Sequence, residues 1–346
     1  MALRTGKLSQ TNISMRVLFM AGRTLYHKSA KRGAWKYGKI CGMGTKTASE
    51  LEKTYGAPGR IGFRFGHCGH PVATLAGPYG TAEVALLGGN VLTYKPTGQP
   101  PVIYRSPKGD YGRTDSIHCG IPVCWPWFGK SGEPGTKPHG FARICAFDVR
   151  STRYTEEMSE IVLGLKSSED TRSLWPHDFD LELTVSVSMK LNLKLRTRNT
   201  GSEPFLLTEG FHPYFLVGER ERVTVRGVDG LAFVDARDMS EGVFAGDFAA
   251  TEPSDHVVTM PEGRARHEVA LLDPVLRRAI AVASTGNRKL VIWNPGPGNS
   301  LADQAPDDWR KFLCVEPATL WRDAGFTLAP GEEHVLEAAI QSTLET

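Results

Sequence analysis

Residues 181–195 restrict the fold of this chain more than any other stretch. Leu181, Leu183, Val185, Val187, Met189, Leu191, Leu193 and Leu195 are all apolar, and the positions between them are Glu, Thr, Ser, Ser, Lys, Asn and Lys. A helix would scatter those leucines around its circumference, whereas an extended chain places alternate residues on one face. The pattern predicts a half-buried antiparallel strand pair, or one long strand, with one face on a core and the other on water. The same type of signal recurs. Ala82–Leu87, Gly88-Gly89-Asn90 and Val91–Tyr94 read as strand, turn and strand, and further strands are expected at 223–226, 231–234, 289–293, 311–316 and 334–340. Residues 235–267 are polar and rich in Gly and Pro, and read as loops with short strands. No stretch sustains a helical period. With 37 glycines and 22 prolines supplying turns, the expected class is all-β, a large antiparallel sandwich.

Charge divides the chain. Of its 41 basic residues ten fall within 1–49, which hold none of the 38 acidic ones. Residues 50–346 therefore carry 31 basic against 38 acidic residues, a mildly acidic balance that argues against nucleic acid as a partner. The basic front end, rich in Ser and Thr, reads as an organelle transit peptide or as a disordered leader. Its longest apolar run, Val17–Ala21, is shorter than the ~7–15 residues of a secretory signal. The expected layout is a leader over 1–60 and one domain over 61–346. The compartment is then the cytoplasm, or a mitochondrion or plastid if the leader directs import. No run approaches the ~20 apolar residues of a membrane span, so no membrane partner is expected.

The six cysteines show neither a C-x-x-C pair nor zinc-type spacing, and the HCGH run at 67–70 lacks a further ligand pair. No metal is expected. Cys124, Cys145 and Cys314 sit in apolar runs and read as buried thiols, which suits a reducing compartment. The Gly-rich run at 294–299 is broken by Pro297 and has Lys289 on the wrong side for a phosphate-binding loop.

Four polar and aromatic stretches stand out of this β background. In FHPYF, His212 follows the apolar run Phe205–Leu207 and is surrounded by aromatic residues, which could fix an imidazole for proton transfer or simply bury a structural histidine. Glu316, in KFLCVEPA, is placed at the end of a second strand. An imidazole and a carboxyl from separate strands form the minimum set for paired acid–base chemistry. HCGIPVCWPWFG, 118–129, offers flat aromatic walls that suit the apolar face of a sugar ring, or a core-forming turn. KPHGFAR, 137–143, brings His139 and Arg143 together at a turn, the guanidinium being suited to phosphate or carboxylate.

Taken in order, GIPVCWPWFG, HGFAR, HPYF, WNP with Ala302-Asp303, and CVEP resemble the motifs of the aldose 1-epimerase (galactose mutarotase) superfamily, within it the hexose-6-phosphate mutarotase branch. The resemblance spans about 80–340. It implies an antiparallel β-supersandwich with a shallow sugar-binding cleft and interconversion of the α and β anomers of a hexose 6-phosphate. By motif position it makes Glu316 the general base and His212 the general acid. His118, His139, Arg143 and Asp235 become substrate-binding, Arg143 for the phosphate, and His139 and Asp235 for hydroxyls. No cofactor is implied, the only partner being a small sugar phosphate, and a monomer is expected. One departure concerns the phosphate. Where the branch has Arg-Gly, this chain has His118-Cys119, and imidazole is the weaker phosphate partner at neutral pH. An unphosphorylated aldose, or a non-catalytic sugar-binding role, therefore stay open alternatives. Arg113 or Lys108 could also stand in for the missing guanidinium.

Overall fold

The computed structural model describes residues 46–66, 70–108, 117–131, 136–263, 266–298, 301–321 and 324–345. The alternating stretch forms a hairpin, Phe179–Val187 paired with Leu191–Asn199 in register Val187↔Leu191 to Phe179↔Asn199. Its odd-numbered residues face inward on both arms. Met189 falls in the connecting turn and is 60% exposed, so the apolar series is interrupted there.

This hairpin is the centre of a nine-stranded antiparallel sheet. On one side it continues through Ser159–Lys166 to Asp148–Tyr154, and on the other through Glu333–Leu344, Arg278–Thr285, His267–Asp273, Thr224–Arg226 and Phe248–Ala249. An eight-stranded sheet runs in the order Ser240–Val243, Ala232–Asp235, Ser254–Thr259, Lys289–Asn294, Phe312–Ala318, Gly210–Phe211 and Val123–Cys124, with Tyr214–Leu216 also on the Phe312–Ala318 strand. Four strands between Ile61 and Pro96 make a third sheet. One core joins all three, drawing Leu183 and Leu195 from the first, Ile292 and Val315 from the second, and Leu75 and Val84 from the third.

Period-two alternation gives the eight-stranded sheet two different faces. Val258, Leu290, Ile292, Leu313 and Val315 point into the shared core. Val257, Val291, Trp293, Cys314 and Ala318 point the other way, into two smaller apolar clusters with Phe128 and Tyr214. The functional stretches gather on that second face.

Several expectations are amended. Residues 48–60, assigned to the leader, belong to the fold. Ala48–Tyr55 is a helix closed by a Thr47–Glu50 capping box, and Leu51 and Ala57 enter the main core. A second short helix, Glu169–Leu174, is capped by Ser168. Both are too short to show a helical period in the sequence. The short strands expected within 235–267 include Ser254–Thr259, which is central enough to pair on both sides. Cys119, Cys124 and Cys314 are buried thiols, but Cys145 is buried and disulfide-bonded. The basic segment before residue 46, Arg113 and most of the HCGH run lie outside the described residues.

Candidate active site

His212 sits at an interruption in a strand. Gly210 pairs with Ala318 and Tyr214 with Cys314, and counting inward from both pairs puts His212 directly opposite Glu316. Pro213 has no N–H to continue the ladder, and the His212 N–H instead donates to the carbonyl of Pro122 on the other side, at 3.1 Å. Cross-strand neighbours share a face. The result is an imidazole Nε2 3.5 Å from a carboxylate oxygen of Glu316.

Aromatic rings hold the imidazole. Tyr214 stacks on it at 4.8 Å with 8° between planes, Phe128 lies on its other side at 6.4 Å, and the edges of Trp293 and His139 meet it at 5.6 and 5.5 Å. Gly210 makes this enclosure possible, because a Cβ there would lie 2.7 Å from the Phe128 ring and 2.8 Å from Ala318. Neither member of the pair is well solvated. Glu316 is 1% exposed and His212 8%, and neither Glu316 oxygen has a hydrogen-bond partner among the described residues. Burial, and secondarily the Asp255 carboxylate, pushes the Glu316 carboxyl well above the usual carboxylate range. Burial, aided by His139, Arg143 and His118, depresses the proton affinity of His212 well below that of a free imidazole. Both shifts favour the uncharged forms, a protonated carboxyl beside a neutral imidazole.

The HGFAR stretch supplies a second histidine and a cation. His139 adopts φ 64° and Gly140 φ 68°. A Cβ at Gly140 would sit 1.9 Å from the Trp125 carbonyl oxygen, so only glycine lets this turn close on Trp125. The His139 Nδ1 accepts a long hydrogen bond, 3.4 Å, from the Gly129 N–H, which leaves its Nε2–H as donor. Burial and neighbouring Arg143 lower its pKa to about 3, so it acts as a neutral imidazole. Arg143, on a 3-10 turn over Ala142–Ile144, donates to the Pro138 carbonyl at 2.8 Å. His118 is clamped by Asp303, which receives its backbone N–H at 2.7 Å and lies 2.8 Å from its Nδ1. Burial would raise the Asp303 carboxyl, but these two bonds outweigh it and hold it low.

His118, His139, Arg143, His212 and Glu316 thus lie close together. Asp235 does not join them. It pairs with His256, which pairs with Ile292, which pairs with Val315, and that row faces the shared core, opposite to Glu316. Its carboxylate is committed to Arg237, whose guanidinium holds its pKa down at about 2. The aspartate on the correct face is Asp255, the cross-strand neighbour of Trp293. Burial, and then the charge of Asp235, raises its pKa to about 6, and its own charge acts on Glu316. The run Ser254–Thr259, Ser-Asp-His-Val-Val-Thr, carries no apolar alternation that could have placed Asp255 on a face.

A buried imidazole–carboxyl pair among aromatic rings, with a neutral imidazole donor, a second carboxyl and a guanidinium close by, can move a proton between two oxygens of a polyhydroxylated ring. Comparison with known proteins points the same way. The family model for aldose 1-epimerase matches residues 71–341. A relative in Escherichia coli (strain K12), provisionally named glucose-6-phosphate 1-epimerase, is 33% identical over 246 residues, which is 70% of this chain and 80% of the relative. The crystal structure of a protein from Salmonella typhimurium, provisionally called a mutarotase, superimposes with a TM-score of 0.75 at 28% identity, over 83% of this chain and 94% of that one. Galactose 1-epimerase from Lactobacillus acidophilus NCFM shares the fold, with a TM-score of 0.66 at 13% identity, over 83% and 99% of the two chains.

Proposed function

The chain belongs to the aldose 1-epimerase family, and from that premise we propose that it interconverts the α and β anomers of a hexose 6-phosphate, glucose 6-phosphate first. The observation that carries the reading is the placement of His212 and Glu316 at opposed ladder positions, 3.5 Å apart in a dry, aromatic enclosure. A sugar hydroxyl entering the cleft offers Glu316 the hydrogen-bond partner its oxygens lack. That favours the ionised carboxylate and passes the shared proton to His212. Glu316 then takes the proton of the 1-hydroxyl while His212 protonates the ring oxygen, and the hemiacetal opens. Rotation about C1–C2 presents the other carbonyl face, and reversal of the two transfers closes the opposite anomer. His139 donates to one sugar oxygen and Asp255 accepts from another hydroxyl. Arg143 supplies the positive charge for the phosphate.

A second reading, an unphosphorylated aldose as substrate, is favoured by the His118–Asp303 clamp, because a carboxylate 2.8 Å from that imidazole opposes an anion beside it. Saturation-transfer NMR on the full chain decides between them by comparing anomer exchange of glucose 6-phosphate with that of glucose. Faster exchange for the phosphate ester supports the first reading, and equal or faster exchange for glucose supports the second. Glu316→Gln should lower the exchange rate by roughly 10²–10⁴-fold while sugar binding persists. Unchanged exchange in that variant would remove Glu316 from the mechanism.

A further inference from the structure

Cys314 stands two residues before Glu316 on the same strand and therefore on the same face, and it has no place in the proton transfers above. One donor atom from each of His212, Cys314 and Glu316 lies within 4.8 Å of the other two, and all three residues are buried. A tetrahedral Zn²⁺ with bonds of ~2.0–2.3 Å to N, O and S holds its donors roughly 3.3–3.6 Å apart. The His212–Glu316 separation of 3.5 Å already meets that spacing, and the thiol needs only a small side-chain adjustment. Independently of the cluster, both oxygens of the almost fully buried Glu316 lack a hydrogen-bond partner among the described residues. We propose that His212, Cys314 and Glu316 form a site for a thiophilic divalent cation, typified by Zn²⁺, whose fourth position opens to the cleft.

The chemistry supports a regulatory occupant. Burial and the neighbouring Glu316 push the Cys314 thiol far up, and a dication reverses both penalties at once. On binding, the thiol and the carboxyl each release a proton to solvent, and the neutral imidazole offers its lone pair without releasing one. Arg143 opposes the cation, while the thiolate, Glu316 and Asp255 together supply three negative charges. Sulfur selects Zn²⁺ over Mg²⁺ or Ca²⁺. The bound ion occupies the two groups that move protons, so on the anomer-exchange reading it inhibits, and sugar and zinc compete.

The reduced full-length chain should be titrated with ZnCl₂ against a chromophoric chelator and, separately, with Co²⁺. The expected result is a tight equivalent of Zn²⁺ weakened at least tenfold in Cys314→Ala and in Glu316→Gln. It should be retained in Cys68→Ala, which isolates any binding at the 67–70 run. Co²⁺ should give thiolate-to-metal absorption in the near ultraviolet with the wild-type chain, a readout that needs no variant to fold. Undiminished zinc binding in Cys314→Ala, or Co²⁺ binding without the thiolate band, would overturn the site. The two readings fail separately. Zinc binding without anomer exchange removes the function and keeps the site, and fast exchange that Zn²⁺ leaves unaltered removes the site and keeps the function.

Discussion

Glu316 is a buried carboxyl whose oxygens have no hydrogen-bond partner among the described residues, with the His212 imidazole 3.5 Å away. The ion pair and the neutral pair differ only in which group carries the single proton, so both states have the same pH dependence. The acid limb of activity requires a second proton on the pair, which the depressed His212 resists. The alkaline limb requires loss of the last proton, which the raised Glu316 resists. The plateau of kcat/KM should therefore extend on both sides of the interval between free Glu and His, about 4.3 to 6.5. A pH profile corrected for the phosphate's own ionisation near ~6 checks this, and a narrow bell inside that interval would count against the pair. Asp255 supplies a prediction of opposite character. Its folded pKa, about 6, is raised above the ordinary aspartate value, so its stabilising protonated form is lost as pH climbs from about 4 through 6. Asp255→Asn should raise KM for the sugar yet stabilise the fold at pH 7–8 by about 1–3 kcal/mol, with little gain at pH 4. Thermal melts at the two pH values measure it. His212 and Glu316 were legible in the sequence because apolar strands flank each of them. Asp235 was misplaced because residue type and neighbourhood say nothing about which face of a strand a side chain takes. Strand parity decides that, and parity depends on where pairing begins.

At the scale of elements, the aromatic wall is held from behind by a buried chain of hydrogen bonds. Trp125 Nε1 donates to Thr197 Oγ1 at 2.9 Å, that hydroxyl donates to Glu209 at 3.1 Å, and His334 Nδ1 lies 2.7 Å from the other Glu209 oxygen. Thr197 is on the central hairpin of the large sheet and Trp125 is in the turn that carries Phe128 and closes on Gly140, so the chain ties the site to the scaffold. Thr197→Val keeps the shape and leaves the indole N–H and a carboxylate oxygen unpaired. The expected cost is about 1–3 kcal/mol, with a fall in exchange rate exceeding any change in sugar affinity. Denaturant melts and saturation-transfer NMR test the two halves. The hairpin was readable because its alternation is long and uninterrupted apart from the turn. The bounds of the strand Ser254–Thr259 were not, since its six residues sit among Glu252, Pro253 and a polar loop, where composition resembles a turn region. The helix over Ala48–Tyr55 was absorbed into a basic leader because two turns are too few to establish a period.

At the scale of the molecule, one apolar core links the three sheets and leaves the second face of the eight-stranded sheet to carry the chemistry. Sandwich class followed from alternation and turn density. The stacking of particular strands did not, because pairing between residues as distant as Leu191 and Ile340 leaves no local trace. The opposed placement of His212 and Glu316 has a kinetic meaning. Their spacing is written into the ladder between two neighbouring strands, so the reacting geometry exists before the sugar arrives and nothing has to assemble around it. Turnover is then governed by encounter and departure. With a good substrate, kcat/KM should fall in proportion as sucrose or glycerol thickens the medium, and Glu316→Gln, slowed at the chemical step, should be indifferent to viscosity.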